Sequence, residues 1–206
     1  PSNTVDAYNS GLTRSTPSEL RTSTGDPIGV SVGSYALFAG GTYNTTEDVT
    51  AYNTALTRSA PTDLSQGRHW MATASVGSYG LFAGGRKGTS YYATVDAYNT
   101  ALTRSTPTGL SSKRQYLVGA SIGNYALFAG GSTGSSSSAR VATVDSYNST
   151  LTRSTPAKLD VAKLWRNTCG GGASVGKYAI FAGGAGTADS AASSDTVDVY
   201  TDLSLW

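Results

Sequence analysis

Side chains capable of acid–base, nucleophilic or metal chemistry are scarce in this chain. His69 is the only histidine and Cys169 the only cysteine among 206 residues. A Ser-His-Asp arrangement would have to centre on His69, and no Gly-x-Ser-x-Gly turn accompanies it. Zinc requires several His or Cys ligands, so no metal site is expected. Cys169, beside Gly170-Gly171-Gly172, reads as a small apolar packing residue rather than a nucleophile, and a single cysteine excludes an internal disulfide. The glycine pairs end strands and open no helix, so no phosphate cradle is expected either. These residues predict no catalysis and no cofactor. Recognition chemistry is better supplied. Arg68-His69-Trp70, Arg86 with Tyr91-Tyr92, Arg114 with Tyr116, Arg140, and Trp165-Arg166 bring arginine and aromatic side chains together. Such residues are the usual anchors of binding surfaces. Trp and Tyr can stack on sugars, while the abundant Ser, Thr and Asn supply hydrogen bonds.

The balance of charge narrows the partners. Only 14% of residues are Asp, Glu, Lys or Arg, and the net charge is +2. A quarter is the usual charged share, so the surface must be built from uncharged polar groups. That suits an extracellular, virion or cell-surface setting. No basic run suggests nucleic acid, and no apolar run is long enough for membrane insertion. The start, Pro1-Ser2-Asn3, has neither methionine nor leader and is read as the edge of a piece from a longer protein. Asn44-Thr45-Thr46 and Asn148-Ser149-Thr150 match glycosylation sequons, at a frequency that chance explains in so Asn- and Thr-rich a chain.

The residues that could bind are interleaved with a repeat, and the repeat must position them. Ser34 to Gly41 reads Ser-Tyr-Ala-Leu-Phe-Ala-Gly-Gly, and near-copies end at Gly85, Gly131 and Gly184, in steps of 44, 46 and 53. Alongside them recurs Val-Asp-Ala-Tyr-Asn, from Val5 and Val95, with the variants Val-Thr-Ala-Tyr-Asn from Val49 and Val-Asp-Ser-Tyr-Asn from Val144 and a shortened copy from Val197. Each of the first four is followed by Leu-Thr-Arg-Ser-(Thr/Ala)-Pro. Short β-branched and aromatic runs bounded by Gly, Asn or Pro are strand signals, so each unit reads as four strands. Strand one ends in Ser-Val-Gly or a close variant. Strand two is Tyr-Ala-Leu-Phe-Ala, apolar on both faces as a strand buried between sheets should be. Strand three carries the Val-Asp-Ala-Tyr block, and strand four carries Leu-Thr-Arg-Ser. No segment has a 3.6-residue apolar period, so almost no helix is expected. Arg14, Arg58, Arg104 and Arg153 fall on strand four, where charge discourages edge-to-edge pairing, and are expected to face Asp6, Asp96 and Asp145 across the strands. Thr50 breaks that pattern in one unit.

These residues resemble the kelch repeat. Gly40-Gly41, Gly84-Gly85, Gly130-Gly131 and Gly183-Gly184 match its paired glycine, and Tyr8, Tyr52, Tyr98, Tyr147 and Tyr200 its third-strand tyrosine. The likeness spans essentially the whole chain and is closest to bacterial or phage-type repeats without the kelch tryptophan, since Leu-Thr-Arg stands in that region. The resemblance implies an all-β fold, a β-propeller of four-stranded blades. There would be about four full blades, over 21–64, 65–110, 111–159 and 160–206, and an N-terminal half-blade over 1–20. Five copies of the strand three–four block against four of strands one–two leave that half-blade incomplete, and another chain is one way to complete it.

Antiparallel strands sort the loops onto two rims. The one-to-two and three-to-four links are nearly identical between units, whereas the two-to-three and four-to-one links vary. Loops that diverge on a constant frame are where binding residues tend to sit. Arg68, His69, Trp70, Tyr91, Tyr92, Arg114, Tyr116, Trp165 and Arg166 are therefore expected on one open rim, presented to a protein or a glycan. A carbohydrate-binding lectin and a domain of a larger extracellular enzyme are the alternatives.

Overall fold

The structure is a computed structural model in which residues 1–42, 46–136, 139–165, 171–185 and 194–201 are described. The described residues contain no α-helix. An N-terminal pair of short strands, β1 (Ala7–Tyr8) and β2 (Arg14–Ser15), precedes the first four-stranded antiparallel sheet. That sheet comprises β3 (Ile28–Val32), β4 (Tyr35–Ala39), β5 (Val49–Asn53) and β6 (Arg58–Ser59), in chain order. The second has β7 (Ala72–Val76) and β8 (Tyr79–Ala83), then a separate small hairpin, β9 (Arg86–Lys87) with β10 (Ser90–Tyr91), and then β11 (Val95–Asn99) and β12 (Arg104–Ser105). The third is β13 (Val118–Ile122), β14 (Tyr125–Ala129), β15 (Val144–Asn148) and β16 (Arg153–Ser154). In the fourth, three strands are described: β17 (Gly172–Val175), β18 (Tyr178–Ala182) and β19 (Val197–Thr201).

Both kinds of repeated turn follow from their residues. Gly33, Gly77, Gly123 and Gly176, at φ between 48° and 54°, open two-residue loops between strands one and two, the place where a hairpin wants positive φ. The three-to-four turn is less ordinary. Leu12, Leu56, Leu102 and Leu151 all sit at φ 57–61°, in the left-handed region that a three-residue hairpin loop gives to its last member. The asparagine before each loop compensates. In the second unit, Asn99 Oδ1 accepts from the Ala101 and Thr103 amides at 3.0 and 2.9 Å, and the other three turns repeat the clamp. Leu102 and Leu151 also pack against the core.

The core lies between sheets. Leu37, Leu81, Leu127, Phe82, Phe128, Val49, Val95 and Val144 are buried where strands two and three of one sheet meet the next. The first cluster joins Val32, Leu37 and Ala51 of one sheet to Phe82 and Tyr98 of its neighbour. Strands β3, β7, β13 and β17 lie side by side in chain order, so the first strands form the common inner edge of the array. Serine hydroxyls tie this edge: Ser75 Oγ donates to the Ser31 carbonyl at 2.6 Å, Ser121 Oγ accepts from the Ser75 amide at 2.9 Å, and Ser174 Oγ accepts from the Ser121 amide at 3.1 Å. The described residues form an open array of sheets with no closed ring.

Candidate functional site

In the second, third and fourth units the variable rim is built on a buried ion pair. The strand-three aspartates Asp96 and Asp145 are fully buried, and each is held by two arginines and a backbone amide. Asp145 lies 2.8 Å from Arg114 Nη2 and 2.9 Å from Arg153 Nη1. Asp96 pairs closely with Arg68 and lies 3.6 Å from Arg104 Nη1. In the fourth unit Lys163 takes the role, 2.6 Å from Asp198. The expected outer-strand pairs are present here and at Arg14–Asp6, 3.2 Å apart; Arg58, whose unit has Thr50, donates to the Glu19 carbonyl at 2.7 Å instead.

Arg68 and Arg114 depart from their expected place as open rim anchors. Both side chains are completely buried and run inward from the four-to-one link. Arg68 Nη1 donates to the Gly84 and Thr94 carbonyls at 2.7 and 2.8 Å, and Arg114 Nη2 donates to that of Phe128 at 3.1 Å. The glycine pairs make the room. Gly84 and Gly85 have φ of 67° and 96°, and a Cβ on either would stand 2.7 Å from the Arg114 or His69 carbonyl. The Gly85 amide donates to the Arg114 carbonyl at 2.9 Å, so the glycine pair is also the point where the next unit docks. Burial draws both guanidinium pKa values down and the partner carboxylates oppose it. A buried cation without its carboxylate would be strongly destabilising, so these arginines belong to the frame.

Above this layer the aromatic residues gather. The chain links Trp70, Tyr116 and Trp165 directly: the Tyr116 amide donates to the Trp70 carbonyl at 3.1 Å, and the Trp165 amide to the Tyr116 carbonyl at 3.0 Å. Trp70 and Tyr116 both have positive φ, 57° and 55°, and Asp26 occupies the same place in the first unit at 54°. The Trp70 and Tyr116 rings stack with centroids 4.4 Å apart, His69 meets Trp70 edge-on at 4.3 Å, and the Arg86 guanidinium lies 4.3 Å over Trp70. Trp70 is half-buried, whereas Tyr116 and Trp165 are buried, the latter with its indole N–H donating to the Ala182 carbonyl at 3.0 Å. Their open-rim placement is corrected accordingly: they wall two recesses. One cavity of about 250 Å³ lies at the ends of the first strands, among Ile28, Trp70, Met71, Tyr116, Leu117 and Trp165. The other, of about 230 Å³, lies between the second and third units and is bounded by Trp70, Arg86, Gln115, Tyr116, Ser132 and Arg140.

The remaining expected residues divide. His69 is buried, and its main chain pairs with Arg86 in both directions, at 3.0 and 2.9 Å. Burial first, and then the Arg86 cation, lower its pKa. Tyr91 lies opposite Arg86 in the β9–β10 hairpin, and Tyr92 is held by its main chain, its amide donating to the Gly85 carbonyl at 2.9 Å. Neither borders the two recesses. Arg166 and Cys169 lie outside the described residues. Among the described residues, no group of three or more His, Cys, Asp or Glu is placed to hold a metal ion.

Neither a scan of protein-family models nor a search of curated proteins finds a match to this chain.

Proposed function

We propose that the chain is a non-catalytic recognition module, a propeller-like array of kelch-type units that presents its variable rim to a protein or a glycan. The observation that carries this reading is the convergence of Trp70, Tyr116, Arg86 and Arg140 around recesses on the rim where the repeats diverge, above a frame of repeated sheets. A rigid scaffold with concave, partly polar ground at one end is the usual form of a binding site. Glycan and peptide arrays probed with the native chain and with Arg86→Gln test it. A ligand retained by the native chain and weakened by the rim substitution is the expected result. No retained ligand, or one indifferent to rim substitutions, overturns it. An extracellular or virion-surface setting suits the low charge of the chain, and a place beside a catalytic domain in a larger extracellular enzyme is compatible with it.

A second reading concerns the ends of the array. Val175, Val197 and Val199 are 60%, 56% and 53% exposed. Their counterparts Val76, Val95 and Ala97 are buried by the following unit. At the other end Tyr8 is 65% exposed, with no strand one–two hairpin beside it. These open faces favour completion by one more strand one–two hairpin of the same kind, in this polypeptide or in another chain. Sedimentation of the chain over a range of concentrations checks the intermolecular form: a concentration-dependent dimer supports it, and a monomer throughout removes it.

A further inference from the structure

The recess between the second and third units holds polar atoms that the protein itself leaves unanswered. Arg140 is 8% exposed, and among the described residues its Nε and Nη1 have no hydrogen-bond partner. Gln115, almost fully buried, has an Oε1 with no hydrogen-bond partner among the described residues. Buried polar groups are nearly always satisfied, so several orphans at one concave place ask for a partner that the chain does not contain. Elsewhere the fully buried cations Arg68, Arg114 and Lys163 each meet a carboxylate, although the Nε of Arg68 and of Arg114 has no hydrogen-bond partner among the described residues either. Arg140 differs from these cations in that, among the described residues, no acidic side chain is paired with it. Arg86, the second cation of the recess, lies over Trp70 and donates a side-chain hydrogen bond to His69 Nε2, at 3.4 Å.

Two cations without carboxylates select an anion, and arginine's planar fork suits a carboxylate or a sulfate. The rest of the wall says what carries the anion. Ser132, Ser135, Ser136 and the Gln115 amide border the recess, so donors and acceptors suited to hydroxyl groups surround the charge. The Trp70 ring is already engaged by Arg86, Tyr116 and His69, which leaves orientation to hydrogen bonds rather than to stacking. A volume of about 230 Å³ takes one sugar ring and not a folded peptide segment. We propose that this recess binds one acidic residue of a saccharide, with its carboxylate on Arg140 and Arg86 and its hydroxyls on Gln115 and the serines. The inference rests on the rim-binding reading and gives it a ligand class.

Isothermal titration with trigalacturonate and with its methyl ester tests the charge, because the two differ only in the carboxylates. The acid is expected to bind at least tenfold more tightly than the ester, with affinity falling as salt is raised. Arg140→Gln and Arg86→Gln should each remove that preference, while Arg14→Gln on the outer strand keeps it. Far-ultraviolet spectra confirm that each variant is folded, and Arg86→Gln, at a half-exposed site, secures the test should Arg140→Gln not fold. Equal binding of acid and ester overturns the inference and leaves the rim reading standing. Binding of oligoglutamate with the same arginine dependence, and of neither sugar, overturns the saccharide class alone. Absence of binding by all three probes overturns the inference, and only an array that also yields no rim-dependent ligand overturns the reading beneath it.

Discussion

The third-strand tyrosine shows how one residue type holds successive units together. Tyr98 Oη donates to the Thr62 carbonyl at 2.8 Å, Tyr147 Oη to Thr108 at 2.9 Å and Tyr200 Oη to Ala157 at 2.7 Å, each reaching back just past the proline that ends the previous strand four. The same rings meet the strand-two phenylalanines edge-on at 5.7–5.9 Å. Tyr98→Phe keeps the ring and strands a carbonyl, so it should cost about 1–2 kcal/mol in urea denaturation. Tyr8→Phe, at an exposed position, should change nothing measurable. Burial raises the pKa of Tyr98 and Tyr147 and pushes that of Tyr200 up to about 12. The folded state therefore holds these phenolic protons more tightly than the unfolded chain, whose tyrosines titrate near 10. Stability is intact below pH 10 and is lost as pH climbs through the folded values. Melting temperatures recorded from pH 9 to 12 should fall progressively above 10, and a flat profile would contradict the burial of these hydroxyls. The tyrosines were legible in the sequence as a repeat, but their acceptors were not, because a carbonyl leaves no mark on residue identity. The burial of Arg68 and Arg114 did leave one. Arg68, Arg114 and Lys163 recur at one place in the repeat, and the first unit, with Thr50 instead of the aspartate, has Thr24 instead of the cation. Charge and countercharge disappear together, which marks a frame and not a variable loop.

At the level of elements, the strand order, the turns and the glycine-closed second strand follow from the sequence because each depends on local chemistry: alternation, left-handed glycine, and asparagine at a loop. The β9–β10 hairpin does not, since Arg86-Lys87 and Ser90-Tyr91 have no pattern beyond the turn glycine Gly88. Nor do the recesses, which arise from neighbouring units and not from any one of them. The glycine pair is where a local rule and a tertiary one coincide. Gly84→Ala sets a methyl group in left-handed backbone and against the Arg114 carbonyl, so it should destabilise by roughly 2 kcal/mol or more. Equilibrium denaturation measures this, and a change below half that would show that the docking of the third unit on the second tolerates a shift.

For the whole molecule, equivalent positions have different consequences according to what lies over them. Ala97 is buried by the next unit, and Val199, its counterpart in the fourth, is 53% exposed. Val199→Lys should alter stability by no more than about 0.5 kcal/mol, as surface changes do, while Ala97→Lys should prevent folding of the second unit. Paired thermal melts decide between this and a covered fourth face, for which both substitutions would be costly. The serine edge described above has a further consequence. Ser31, Ser75, Ser121 and Ser174 make each inner joint from a serine hydroxyl of one strand and a peptide group of the facing serine on the next. A seam so uniform is modular: gene duplication can lengthen the array without inventing a new contact, and selection is left free to work on the loops alone.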